Sequence, residues 1–174
     1  MKKILIISFA ILAFNATAQK GKMFPSVIGT TLDDKKANLP MENGKSTIIA
    51  IAFNRSAEED LKKWLNPLYD NFMKKEKTGN FDMAELYDVN FIFVPMISGF
   101  KKIAQDFKKG TDKEFWPHIM DTEKTDVNEL QKQLGVEDNK IPYFFVVNKD
   151  GKIVEMVSGK FTDDKLEKIE DAIE

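Results

Sequence analysis

The sequence predicts an α/β protein with a central mixed sheet and helices on both of its faces. Three observations carry that expectation. Thr47-Ile48-Ile49-Ala50-Ile51-Ala52-Phe53 is an unbroken apolar run rich in β-branched residues, the pattern of a strand buried on both faces. Directly after it, Ala57, Leu61, Trp64, Leu65, Leu68, Tyr69 and Phe72 recur three and four residues apart, forming one apolar stripe along a helix. The same alternation of strand-like and helix-like segments then continues to the C-terminus, which favours a layered sheet over a bundle or a sandwich.

Taken in order, the chain opens on Met1-Lys2-Lys3, an apolar stretch over residues 4–14, and Asn15-Ala16-Thr17-Ala18-Gln19. A basic start, a short apolar run and an Ala-x-Ala ending are the three parts of a secretory signal peptide. The apolar run is too short for the ~20 residues that span a bilayer, so no permanent membrane anchor is expected. This places a leader at 1–18 and a single domain at 19–174, exported to a periplasmic or extracellular space. A buried N-terminal helix is the alternative.

Past the first strand, Ser56 and Glu59 have capping-box spacing and are expected to start the helix. The connection 74–88 is long for such a unit, and its Phe81, Met83 and Tyr87 mark either a partner-binding insert or a short packed helix. Residues 90–97 read as a second buried strand, with Pro95 implying a sheet edge or a strand end. Phe100, Ile103, Ala104 and Phe107 outline a short amphipathic helix, and residues 115–120 a brief strand. Asp126 and Glu129 cap a helix with Val127, Leu130 and Leu134 inward and Gly135 at its end. Residues 143–147 and 153–157 flank Asn148-Lys149-Asp150-Gly151, a hairpin turn. Leu166, Ile169 and Ile173 mark a last helix after Thr162.

Composition removes whole classes of chemistry. The chain of 174 residues has no Cys and one His, so thiol, disulfide and multi-histidine metal chemistry have no ligands. Its 26 basic and 28 acidic residues leave a net charge of −2, with no basic excess to hold nucleic acid. Asp112, Glu114, Asp121 and Glu123 are spaced too loosely for a calcium loop.

The segment Ile141-Pro142-Tyr143-Phe144-Phe145-Val146-Val147-Asn148-Lys149-Asp150-Gly151-Lys152-Ile153 resembles the thioredoxin-like superfamily, and within it the exported redoxin and peroxiredoxin-type branch. The resemblance runs over residues 24–173, with 24–39 similar to that branch's entry hairpin. It implies a thioredoxin-like three-layer α/β/α fold with a central mixed sheet. It also implies that Pro142 is cis and that Ile141 offers its backbone to an extended peptide. Residues 48–64 are similar, more weakly, to the thioredoxin-like assembly factors of mitochondrial ATP synthase.

Redox members of the superfamily carry their reactive cysteine where the first central strand meets its helix. Here that junction reads Asn54-Arg55-Ser56-Ala57-Glu58-Glu59-Asp60-Leu61. A serine hydroxyl cannot take the place of a thiolate in disulfide exchange, so the expectation is a redox-inactive domain that binds a protein or peptide. Arg55, Ser56, Ile141 and Pro142 are its candidate contacts; no catalytic, cofactor-binding or metal-binding residue is assigned. Arg55, the one arginine, suits a carboxylate contact or else a surface pair with Glu58 or Glu59. Two alternatives stand beside this: an assembly or chaperone factor for an envelope complex, or a cysteine-independent enzyme using Arg55, Ser56 and His118. The enzyme reading requires His118 within hydrogen-bond reach of Ser56 or of a pocket beside Arg55.

Overall fold

A computed structural model describes residues 19–73, 87–96, 108–122 and 125–173. The leader, most of the 74–88 connection and the expected helix at 100–107 lie outside the described residues.

The apolar run after Lys45 forms β3 (Ser46–Ala52), preceded by the hairpin of β1 (Val27–Thr31) and β2 (Lys36–Leu39). Helix α1 (Arg55–Phe72) returns to β4 (Val89–Pro95), which pairs parallel to β3 from Ser46↔Val89 to Ala52↔Pro95. The hairpin of β6 (Tyr143–Val147) and β7 (Ile153–Ser158) adds antiparallel on the other side of β3, giving the mixed order β4-β3-β6-β7. Pro95 therefore lies both at a strand end and on an edge strand, where its missing N–H is harmless.

Strand alternation divides the core. Ile48, Ala50 and Ala52 face the stripe of α1, with Trp64 against Phe144 at 4.1 Å, and α3 (Asp163–Asp171) adds Ile169 to the same side. Ile49, Ile51 and Phe145 face Phe24, Leu39, and Leu130 of the short helix α2 (Val127–Gln133). The second face is thus covered by α2 together with the β1–β2 hairpin.

The expected strand at 115–120 divides in two. Residues Lys113–His118 wind into a 3-10 helix, and only then does β5 (Met120–Thr122) run antiparallel to β1 in a separate sheet of order β2-β1-β5. Pro117 lacks the N–H that a strand ladder needs and fits the helical turn instead. The Asn148 turn forms as expected: its side chain accepts from the N–H groups of Asp150 and Lys152 at 3.1 and 2.9 Å, and Gly151 takes φ 79°.

Candidate functional site

The C-terminal end of β3 runs through buried Phe53 into Asn54, whose extended backbone and carboxamide cap α1. Asn54 Oδ1 accepts from the Ser56 N–H at 3.1 Å and the Ser56 hydroxyl at 3.2 Å, and its carbonyl accepts from the N–H groups of Ala57 and Glu58. This corrects the expected cap. The helix starts one residue before Ser56, because asparagine two positions upstream already satisfies the orphan donors. Ser56 is left in the first turn, exposed. Glu58 and not Glu59 is drawn inward, buried and paired with Lys62 at 2.8 Å.

Across from this corner stands the loop before β6. The Ser56 hydroxyl reaches the Lys140 carbonyl at 3.5 Å, so Ile141-Pro142 does border the strand–helix junction despite a separation of 84 residues between the bonded pair. Lys140 N–H donates to Asp138 Oδ1 at 2.9 Å and Asp138 N–H to the Tyr143 hydroxyl at 3.3 Å, which shapes the loop. Burial holds that phenol above its ordinary pKa. Pro142 is buried and Ile141 half-buried against the core; the Pro142 carbonyl accepts from Gly159 N–H at 2.8 Å, and Trp64 Nε1 donates to the Gly159 carbonyl at 3.1 Å. The loop is therefore anchored through the indole of α1.

Two expectations at this corner change. Ile141–Pro142 is not cis; the cis bond among the described residues is Leu39–Pro40. X–Pro bonds favour trans by about 0.5–1 kcal/mol, and β6 entry is already made by the Gly159 bond and the Tyr143↔Ile51 pairing. Arg55 is exposed and has no ion pair with Glu58 or Glu59, Glu58 being taken by Lys62.

His118 lies elsewhere. Its Nδ1 faces the Phe91 carbonyl at 3.2 Å, and Phe91 is in register with Ile48, four residues before the end of β3. At ~3.3 Å per residue that is about 13 Å from the strand's end. Burial lowers its pKa, opposed by the Phe91 carbonyl and by Asp33. No Ser56–His118 pair is assembled. Among the described residues no group of His, Asp and Glu is placed to hold a metal ion. An open groove of about 430 Å³ between Ser26–Ile28 and Asp126–Gln133 shares no residue with the corner.

A strand–helix corner facing a proline loop, on a sheet of this order, defines a thioredoxin-like fold. The fold is similar to the thioredoxin domain of a thiol-disulfide oxidoreductase from Bacteroides vulgatus, at 18% identity and TM-score 0.62, covering 89% of this chain and 98% of that one. It is similar to a thiol:disulfide interchange protein DsbE from Chlorobium tepidum at 16% identity and TM-score 0.59, covering 89% and 98%. BsSco, of the Sco family of cytochrome c oxidase assembly proteins, matches at 14% identity and TM-score 0.56, covering 87% and 94%. The sequence itself matches the family of the ATP10 protein over residues 13–174, and the chain belongs to that family. Of the two resemblances in the sequence, the family falls on the weaker. Among curated proteins none matches the sequence. With no cysteine in the chain, thiol exchange lacks its nucleophile. Among the described residues no helix is long and apolar enough to cross a membrane.

Proposed function

We propose that this protein is an exported, redox-inactive assembly factor that holds a protein partner at the corner of Arg55, Ser56, Ile141 and Pro142. One observation carries the reading: Ser56 occupies the strand–helix junction with its hydroxyl 3.5 Å from the Lys140 carbonyl, so the place where redox members of the superfamily carry a thiol keeps its shape without its chemistry. Membership of the ATP10 family and the likeness to an assembly protein of the Sco family support assembly over solute binding. Export rests on the leader at 1–18, with cleavage after Ala18. The corner offers a guanidinium with no ion pair among the described residues, beside an exposed hydroxyl and a half-buried apolar residue, which suits an extended peptide segment carrying a carboxylate.

The test is a photo-cross-linking residue at position 141 in the full chain, expressed in its native host, with position 149 at the far end of the sheet as control. One stoichiometric partner from a membrane complex, captured from 141 and not from 149, is the expected result. Equal capture from both positions, or none from 141, overturns the site. Reduction of insulin disulfides or consumption of peroxide above buffer overturns the redox-inactive reading.

A further inference from the structure

The two elements that cover the face of the sheet opposite α1 meet imperfectly, and the open groove of about 430 Å³ runs along their seam. From α2 and its cap, Asp126, Glu129, Leu130 and Gln133 line one wall at helical spacing; Ser26 and Ile28, at the start of β1, line the other. Leu130 is buried, whereas Ile28 is 54% exposed, one of two large apolar side chains so placed among the described residues. Asp126 Oδ1 accepts from the N–H groups of Asn128 and Glu129, both at 3.1 Å, and Glu129 Oε1 accepts from Gln133 Nε2 at 3.1 Å. Neither carboxylate is in an ion pair among the described residues. Like charges three apart on a helix face repel, and no basic side chain among the described residues lines the groove to offset them.

We propose that this groove docks an arginine-bearing segment of the protein partner. The proposal rests on the reading that a partner is held, but on no residue of the corner. An arginine side chain has the two parts the groove asks for: an apolar stem to lie against Ile28 and Leu130, and a planar cation whose forked donors can serve two carboxylates. Lysine offers only a point charge there. An anion would be repelled by Asp126 and Glu129, and a wholly apolar segment would strip water from both without replacing it. The volume falls in the range of about 300–1,000 Å³ typical of ligand clefts, enough for a side chain with its flanking residues and more than an ion requires. At the corner the charge on offer is Arg55, and in the groove it is two acids. Opposite signs at the two places fix which part of the partner lies at which.

The probe is a blocked peptide, Ser-Leu-Arg-Leu-Ser, titrated into isotope-labelled protein purified from a host expressing the full chain; peptides with Glu or Leu in place of Arg are the comparisons. Amide shifts centred on Ile28 and Leu130, weakened by salt and absent with the Glu peptide, are expected. Asp126→Asn combined with Glu129→Gln keeps the cap and the bond to Gln133 while removing both charges, and should weaken binding about fivefold, as for two exposed ion pairs. Asp164→Asn with Glu167→Gln, the same change on α3, should leave binding unaltered. Equal shifts from the Glu or Leu peptide, equal weakening by the two double variants, or no binding of the Arg peptide overturns the proposal. So does a dimer that the variant at 126 and 129 dissociates, since the groove would then hold a second copy of the chain. None of these results bears on the corner, which stands or falls by cross-linking from position 141.

Discussion

The two ends of β3 are built to opposite specifications. At its start, Asn43 and Asn90 exchange side-chain amide bonds at 2.9 and 2.8 Å, Asn90 also donates to the Thr47 hydroxyl at 3.2 Å, and Lys45 pairs with Asp88. The Asn148 turn closes beside them, since Thr47 pairs with Val147. At its finish, one side-chain bond of 3.5 Å crosses from Ser56 to Lys140 among the described residues, and Arg55 and Ser56 stand exposed. The densely bonded end ties three strands in register. The sparsely bonded end leaves Arg55 and Ser56 exposed, as the proposed partner contact requires, and binding loops commonly sit at the less stable margins of a rigid scaffold.

The largest blow to the bonded end comes from Gly151→Val. A branched side chain at φ 79°, with its Cβ 2.9 Å from Met23 Cε and 3.2 Å from Pro40 Cγ, should cost about 2–3 kcal/mol in chemical denaturation. If stability is unaffected, the turn is not what holds that end. Asn54→Ala removes the cap of α1 and should cost about 1 kcal/mol, while weakening partner capture by displacing Ser56. Asn90→Ala should cost a similar or smaller amount, about 0.5–1.5 kcal/mol, with capture unchanged; a loss of capture would dissolve the distinction between the ends.

The pH dependence sharpens the same contrast. His118 has a folded pKa below its ordinary 6.5, so the unfolded chain binds more protons in that window. Its contribution is complete above about 6.5 and falls as pH drops through the folded value. Denaturation midpoints measured at pH 7.5 and 5.5 should therefore show an acid-side loss that His118→Gln reduces. Partner capture by the corner should show no step from this group. The smallest effect on stability is that of Ser56→Ala, within about 0.5 kcal/mol for an exposed side chain. The same change should reduce cross-linking from position 141; unaltered cross-linking would take Ser56 out of the contact.

Much of the scaffold is legible in the residues. The run from Thr47 to Phe53, the stripe from Ala57 to Phe72, the Asp126 cap and the Asn148 turn all carry local signals, and each forms where those signals place it. The misplacements are equally particular. Asn54 takes the cap in place of Ser56, although the two residue types cap about equally well, so residue type alone did not decide between them. The 3-10 turn at Lys113–His118 is foreshadowed by Pro117, but the pairing of β5 with β1 in a second sheet has no local signature. Nor does the amide exchange between Asn43 and Asn90, which depends on two turns meeting.

Composition and periodicity, which are properties of the chain read a few residues at a time, determined that no thiol chemistry is available and that strands and helices alternate. What each polar side chain meets was decided only by tertiary structure. Ser56 faces a carbonyl 84 residues away because β6 pairs with β3 in one register, and His118 is kept from that corner because β4 carries its partner Phe91 toward the opposite end. Such meetings depend on long-range register, which a hydrophobic pattern constrains to a face of the sheet but not to a neighbour across it.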